Sequence, residues 1–422
     1  MFSNISKILS QSIDIQNIGI LTLGVFATQA IAIISAPIIA RIFSTENIGI
    51  FALLMALVGI FSTFSSLKYE LAIVIEKDTK VANMLEILSY FILLTASLLI
   101  SLIIGFLVEL NISIGSIIID ESYYFIGLIT LLIGVFTIQT NRLNREENYT
   151  LIAISNLINK IAVVSSQVIF GLLGMGAYGL IIGNIFGYLV STLVNYFFGL
   201  KNSKILNNFI LQNLFHTARI HKKFPRYTVG QSFFNTTSHQ LPVILLGYYY
   251  GLDYVGYYWM AMRVIQIPTL LFGESIRKVF YRKISDSTEQ LQEALAIYKK
   301  YIFVLSLIIF LPVIIIFFFN EYIFSFILGK DWLISAEFAK WLFIWIGVGF
   351  ISQPASAVVL AFGINKFGFY YDLTLLFARM LVLVIGGLYF DILSTIIAYT
   401  IVGVIFNLAL IYICYRFISK KS

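Results

Sequence analysis

The sequence predicts an all-α membrane protein with twelve transmembrane helices in two blocks of six. Three observations carry that expectation. Hydrophobic residues make up 59% of the 422 and charged residues only 12%, with a mean hydropathy of +0.93. A water-soluble domain of that composition would leave much of its apolar surface in water. Twelve apolar segments are each long enough to cross a hydrocarbon core, which takes about twenty residues at about 1.5 Å rise each. The Lys and Arg residues collect on alternate connections between those segments.

The expected spans are 17–40, 48–67, 83–108, 123–141, 151–173, 177–200, 227–247, 254–276, 301–319, 336–362, 367–388 and 392–415. The third, fourth, ninth and twelfth are the plainest, whereas polar residues interrupt the second and seventh. Of the 28 basic residues, 22 fall on one side of this arrangement. Arg41, Lys330 and Lys340 fall on the other, and Lys160, Arg263 and Arg379 lie within spans. The positive-inside rule therefore puts the basic side, and both termini, in the cytoplasm. The net charge of +7 is read as a topology signal and not as a nucleic-acid footprint.

The connections are short on the outer side, where 109–122 and 320–335 are the longest. On the inner side, ILNNFILQNLFHTARIHKKF reads as an interfacial amphipathic helix. The stretch SDSTEQLQEALAIYKK reads as a short helix opened by Asp286, with Glu289 three residues on. The N-terminus shows no cleavable signal pattern, so the first span would serve as its own insertion signal. Cys414 is the single cysteine, and His216, His221 and His239 lack metal-ligand spacing. No phosphate-binding glycine loop, nucleophile elbow or two-carboxylate site is visible. A transporter without cofactor or metal is therefore expected rather than an enzyme, its energy drawn from a proton or sodium gradient.

The basic loop 201–226 divides the chain into an N-terminal lobe, 1–200, and a C-terminal lobe, 227–422. The halves echo one another. Pro37 precedes Glu46-Asn47-Ile48-Gly49, and Pro242 precedes Asp253-Tyr254-Val255-Gly256. Equal span numbers make the repeat parallel, the plan of two-lobed transporters that bind cargo between lobes. Five prolines fall in spans (Pro37, Pro242, Pro268, Pro312 and Pro354), where each frees a carbonyl and bends its helix. Gly179, Gly183 and Gly187 form overlapping small-xxx-small steps that pack span six on a neighbour.

The mid-span cations point to a site. Lys160, Arg263 and Arg379 lie about nine to twelve residues into their spans, roughly 13–18 Å deep. A basic side chain there costs about 2.5–3.5 kcal/mol, so its presence marks a functional position by default. An ion pair or snorkelling is the structural alternative, and Asp372 lies seven residues from Arg379 on the same face. Polar stripes accompany the cations: Asn156, Lys160 and Gln167; Gln231, Asn235 and His239; Arg263, Gln266 and Glu274; Thr22 and Gln29. A hydrated cationic interior suits an anion bearing phosphate or carboxylate, since Arg forks onto such oxygens. Aromatic residues, 16% of the chain, read mostly as interfacial belts.

The run Gln29-Ala-Ile-Ala-Ile-Ile-Ser-Ala-Pro37-Ile-Ile-Ala-Arg41, with Glu46-Asn-Ile-Gly49 and Lys68-Tyr69-Glu70-Leu71-Ala72-Ile73, resembles the start of bacterial polysaccharide-unit flippases of the Wzx type. Leu241-Pro242-Val-Ile-Leu-Leu246, Val255-Gly256-Tyr257-Tyr258, Arg263-Val264 with Pro268, and Gly176-Ala-Tyr-Gly179-Leu180-Ile-Ile-Gly183 extend the resemblance over both halves. It implies the multidrug/oligosaccharidyl-lipid/polysaccharide (MOP) exporter superfamily, with two six-helix bundles in a V around a central cavity. It implies an undecaprenyl-pyrophosphate-linked oligosaccharide as cargo, flipped outward across the bacterial inner membrane for O-antigen, lipopolysaccharide or capsule assembly. Partners would be the lipid-linked oligosaccharide, membrane lipids and other polysaccharide-assembly membrane proteins, with no nucleic acid. Arg41 and Arg263 match basic positions of the family pattern, while Lys160 and Arg379 join them on the depth argument alone. Gln29, Asn156, Gln231, Asn235 and Gln266 are the expected polar lining. Glu70, His239, Glu274 and Asp372 are the candidates for ion coupling. The rival readings are a small-solute or drug antiporter on the same fold and, in another class, a membrane-embedded glycan polymerase.

Overall fold

The computed structural model describes residues 2–110, 113–115, 117–118, 121–201, 211–267, 269, 273–287 and 290–421, with side chains from residue 19 onward except at 113, 114, 117, 118, 211–213, 227, 274, 275, 278, 286, 365 and 421. Nearly all of this is helix: α1 (Phe2–Ile42), α2 (Thr45–Ser62), α3 (Tyr69–Ile75), α4 (Thr79–Glu109), α5 (Phe125–Arg145), α6 (Tyr149–Leu172), α7 (Ala177–Asn195) and α8 (Leu211–Ile220). There follow α9 (Val229–Tyr250), α10 (Leu252–Ile265), α11 (Glu274–Asp286), α12 (Leu291–Ile327), α13 (Leu333–Ile351), α14 (Gln353–Ala361), α15 (Asn365–Tyr389) and α16 (Ile392–Lys421). The β structure among the described residues is one antiparallel pairing of Ser113–Ile114 (β1) with Ile117–Ile118 (β2).

Ten helical segments among the described residues are long and apolar enough to cross a membrane, and they coincide with expected spans one to six and nine to twelve. The chain is a multi-pass membrane protein. Spans seven and eight correspond to α9 and α10. The first half of α9, VGQSFFNTTSHQ, is polar, and α10 has only 14 residues. The expected eighth span, 254–276, is not one helix. α10 ends three residues before Pro268, which has no N–H to continue a helical ladder and itself lies outside the described residues. Ile267, Thr269 and Gly273 are again helical, and the strongly basic α11 follows from Glu274.

A second correction concerns Asp286, which closes α11 and does not open a helix. Leu291 starts the next helix, and α12 runs unbroken into span nine for 37 residues. Its first turns, LQEALAIYKK, are good helix formers and contain no breaker. Pro312 lies inside it, and the backbone leaves helical geometry at Phe319. Pro354 falls in the first turn of α14, where its missing N–H is harmless, so the tenth span is two helices broken at Ser352.

The chain divides into two compact units. Unit 1 comprises 1–35 and 50–240, and unit 2 comprises 36–49 and 241–422. The division thus falls inside α1, α2 and α9, whereas the sequence reading draws it through the loop 201–226. In unit 1, Leu67 and Lys68 both take positive φ and turn the chain from α2 into α3. Buried Ile73, Leu85, Leu88, Leu93 and Ile138 form a core that Leu214 of α8 completes. The amphipathic segment is therefore in part a packing element of unit 1; its residues 202–210 lie outside the described set. Gly183 and Gly187 let α7 lie on the backbone of α6, because a Cβ at Gly183 would meet Gln167 N at 2.8 Å and one at Gly187 would meet Val163 N at 3.0 Å.

In unit 2, α11, α12, α14 and α16 share a core of Phe280, Ile284, Tyr298, Val358, Leu410 and Cys414. The two echoed motifs meet here as equivalents. A Cβ at Gly49 would overlap the Leu252 carbonyl, and one at Gly256 would overlap the Thr45 carbonyl. Each would also meet the other glycine's N at 3.3 Å. The N-terminal turns of α2 and α10 thus cross in a reciprocal, two-fold-like contact that only Gly permits. The Thr45 hydroxyl donates to the Asp253 carboxylate across the crossing. The Trp332 indole donates to the Ala40 carbonyl at 2.9 Å and ties the end of α1 to the same unit.

Candidate functional site

Unit 1 holds a cavity of about 310 Å³ between α1 and α6. Its α1 wall is Leu21, Gly24, Val25, Thr28 and Gln29, one face at successive turns, and its α6 wall is Ala153, Asn156, Asn159 and Lys160. Small residues set the helix separation, since a Cβ at Gly24 would meet the Ala153 Cβ at 2.8 Å. Above that close approach the walls part and become polar. Thr28 returns its hydroxyl to the Gly24 and Val25 carbonyls at 2.9 and 2.8 Å, which leaves two amides from α6, one from α1 and the Lys160 ammonium to define the chemistry. Asn159 is held by Ser191 of α7 at 3.1 Å, so the α6 wall is braced from behind. One cation among several amides suits a hydroxyl-rich anion, because amides both donate and accept while ammonium only donates.

The structure brings Gln29, Asn156 and Lys160 together in this cavity and adds Asn159. Gln167 ends the same α6 stripe differently: it is buried and donates to the Leu180 carbonyl of α7 at 3.1 Å. On α9, Gln231, Asn235 and His239 recur every fourth residue and are all exposed. This polar face leaves α9 outside the ten described helical segments that are long and apolar enough to cross a membrane.

The unit 2 cations sit on aromatic rings. Arg263, half-buried in the last turn of α10, lies over the Trp259 ring at 5.1 Å. Arg379 is 5% exposed and lies over Trp345 at 4.9 Å and Tyr399 at 5.4 Å. The ring quadrupoles offset part of the charge-burial cost, by about 0.5–2 kcal/mol for each ring. Trp345 and Tyr399 meet edge to face at 5.4 Å, and Gly403 makes room for the indole. Gln266 is half-buried and caps α10. Arg41 is exposed in the last turn of α1, where a cation complements the helix dipole.

The four ion-coupling candidates fall in different surroundings. Glu70 is buried at the start of α3, where it accepts from Ser66 Oγ at 2.5 Å and lies 3.8 Å from Lys68 Nζ. His239 is exposed on α9, and Asp372 is exposed on α15. Glu274 opens α11, and its side chain lies outside the described set.

A family model described as polysaccharide biosynthesis protein matches residues 38–337. The chain belongs to that family. No curated protein matches the chain. Among solved structures, this polysaccharide biosynthesis protein resembles lipid II flippase MurJ in an inward closed conformation, with 17% identity, 93% of this chain and 86% of that chain covered, and a TM-score of 0.72. It also resembles an inward-facing MATE-family multidrug resistance transporter of the MOP superfamily, with 14% identity, 94% and 95% coverage and a TM-score of 0.62. A third likeness is to a MOP superfamily transporter from Pyrococcus furiosus, with 14% identity, 96% and 95% coverage and a TM-score of 0.60. At these identities the likenesses show the fold, which is that of MOP superfamily transporters.

The family member also carries a charged cluster that the sequence reading passed over. Glu86 in α4 is fully buried and lies 3.5 Å from Arg142 Nη1 at the end of α5. Arg142 also donates to Glu146 and to Asn83, each at 2.6 Å. Arg145 donates to the carbonyls of Ile73, Glu76 and Lys77, and His221 lies 3.1 Å from Glu76. This cluster fastens α3, α4, α5 and the segment after α8 to one another. The signal was an acidic residue near the start of an apolar span.

Proposed function

We propose that the protein is a flippase for undecaprenyl-pyrophosphate-linked oligosaccharide repeat units, moving them from the cytoplasmic to the outer leaflet of the bacterial inner membrane by alternating access. Both termini are cytoplasmic in this reading, by the distribution of Lys and Arg. The observation that carries it is the grouping of Lys160 with Gln29, Asn156 and Asn159 in one cavity between two membrane-spanning helices. A glycan cannot enter hydrocarbon without losing its hydrogen bonds to water. Side-chain amides replace those bonds, and an ammonium attracts the phosphates or acidic sugars of the head group. Family membership in polysaccharide biosynthesis and the fold likeness to a lipid II flippase support the same cargo class. Arg41, Arg263 and Arg379 are proposed to set the potential that draws the head group in. Coupling to a proton or sodium gradient is assigned to one of Glu70, His239, Glu274 and Asp372.

The fold likeness to multidrug transporters favours a second reading, a small-solute or drug antiporter. A cationic cavity disfavours the organic cations such a protein would expel. In a strain lacking the chromosomal copy, the wild-type chain should restore surface polysaccharide. Lys160→Gln, inserted at the wild-type level, should restore less than a tenth of it, since loss of one transition-state charge contact costs about 1.4 kcal/mol or more. Drug resistance without polysaccharide restoration would replace this reading by the second.

A further inference from the structure

Unit 2 contains a separate groove of about 400 Å³ between α12 and α16. Its walls are one face of each helix, with Ile302 and Phe303 facing Leu408 and Ile411. Its floor is Tyr298, which is 1% exposed and donates its hydroxyl to the Ile411 carbonyl at 2.9 Å. That bond crosses between the helices and fixes their separation at the base of the groove. The upper walls are open: Phe303, Leu408 and Tyr412 are each more than half exposed.

One end of the groove is cationic. Lys299 Nζ lies over the Tyr415 ring at 5.4 Å, and the Arg416 guanidinium lies over Tyr412 at 5.5 Å while its Nε donates to the Tyr412 hydroxyl at 2.8 Å. Both long side chains are thus folded onto tyrosine faces beside the mouth of the groove. From Lys299 to Ser306, at the far end of the lining, is about 10 Å along the helix axis. None of the described lining residues is acidic. An apolar channel at membrane depth with cations at its headgroup end fits a two-part ligand, a hydrocarbon chain joined to an anion.

We propose that the α12–α16 groove retains an anionic phospholipid, its acyl chain along Ile302, Phe303 and Leu408 and its phosphate between Lys299 and Arg416. The site is built from other residues than the α1–α6 cavity and stands apart from the transport reading. The test is native mass spectrometry of the full-length protein equilibrated with equal amounts of phosphatidylglycerol and phosphatidylethanolamine of the same chain length. The wild type should retain the anionic lipid preferentially. The double variant Lys299→Gln/Arg416→Gln should lose that preference by about 25-fold, roughly 5-fold for each charge removed. Both residues are exposed, so folding is expected to be unaffected and is checked by thermal unfolding. Leu408→Trp, which fills the groove, should lower retention of both lipids. Equal retention of the two lipids by the wild type, or an unchanged preference in the double variant, overturns the proposal.

Discussion

Replacing Arg142 should destabilise unit 1 far more than replacing Glu86, although the two form one buried pair. Glu86 is fully buried, and Arg142 Nη1 lies 3.5 Å from its carboxylate. Arg142→Met strands that carboxylate in an apolar interior, a loss of about 3–5 kcal/mol. Glu86→Gln leaves Arg142 its bonds to Glu146 and Asn83 and removes only one longer contact, a loss of about 0.5–1.5 kcal/mol. The double variant Glu86→Leu/Arg142→Met buries no charge, and Glu146 is 37% exposed and can turn to water. It should recover to within about 1 kcal/mol of the wild type. Equilibrium unfolding of the purified protein in mixed micelles of increasing sodium dodecyl sulfate content compares the three variants with the wild type. Equal losses for the two single variants, or a double variant as unstable as Arg142→Met, would refute the reasoning.

Gly256→Ala should cost about 1–3 kcal/mol or more, and Gly49→Ala a similar amount, because each new Cβ meets a backbone carbonyl that cannot step aside; unfolding as above checks both, and Ala tolerated at either position contradicts the reciprocal crossing. Arg379→Gln should lower stability by about 1–3 kcal/mol through loss of the Trp345 and Tyr399 ring contacts, with Arg379→Lys in between. An unchanged midpoint for Arg379→Gln would show that the rings do not hold the charge.

The ten apolar spans were legible because hydropathy over twenty residues reports burial in lipid directly. Spans seven and eight were harder. The polar face of α9 and the break before Pro268 both trade hydropathy for other requirements, and a window average cannot separate these from loops. The α1–α6 cavity was half legible. Asn156 and Lys160 repeat at helical spacing on α6, and Gln29 follows Thr22 by seven residues on α1, but Asn159 lies off the α6 stripe, and its place depends on Ser191 of α7. Arg142 follows the expected fourth span, 123–141, and by charge alone reads as a cation of the basic connection after it. Its buried pairing with Glu86 depends on how α4 meets α5, which no local pattern encodes. The Pro-to-Gly echo, a short pattern in sequence, turned out to be physical: Gly49 and Gly256 are each other's counterparts in one crossing.

Movement of the cargo itself is the decisive measurement. Purified protein in liposomes loaded on the inner leaflet with undecaprenyl-pyrophosphate-linked repeat units should expose the glycan to an externally added glycosidase, and Lys160→Gln liposomes should expose little more than protein-free ones. Exposure by the wild type no greater than in protein-free liposomes, under both an imposed proton and an imposed sodium gradient, would contradict the flippase assignment.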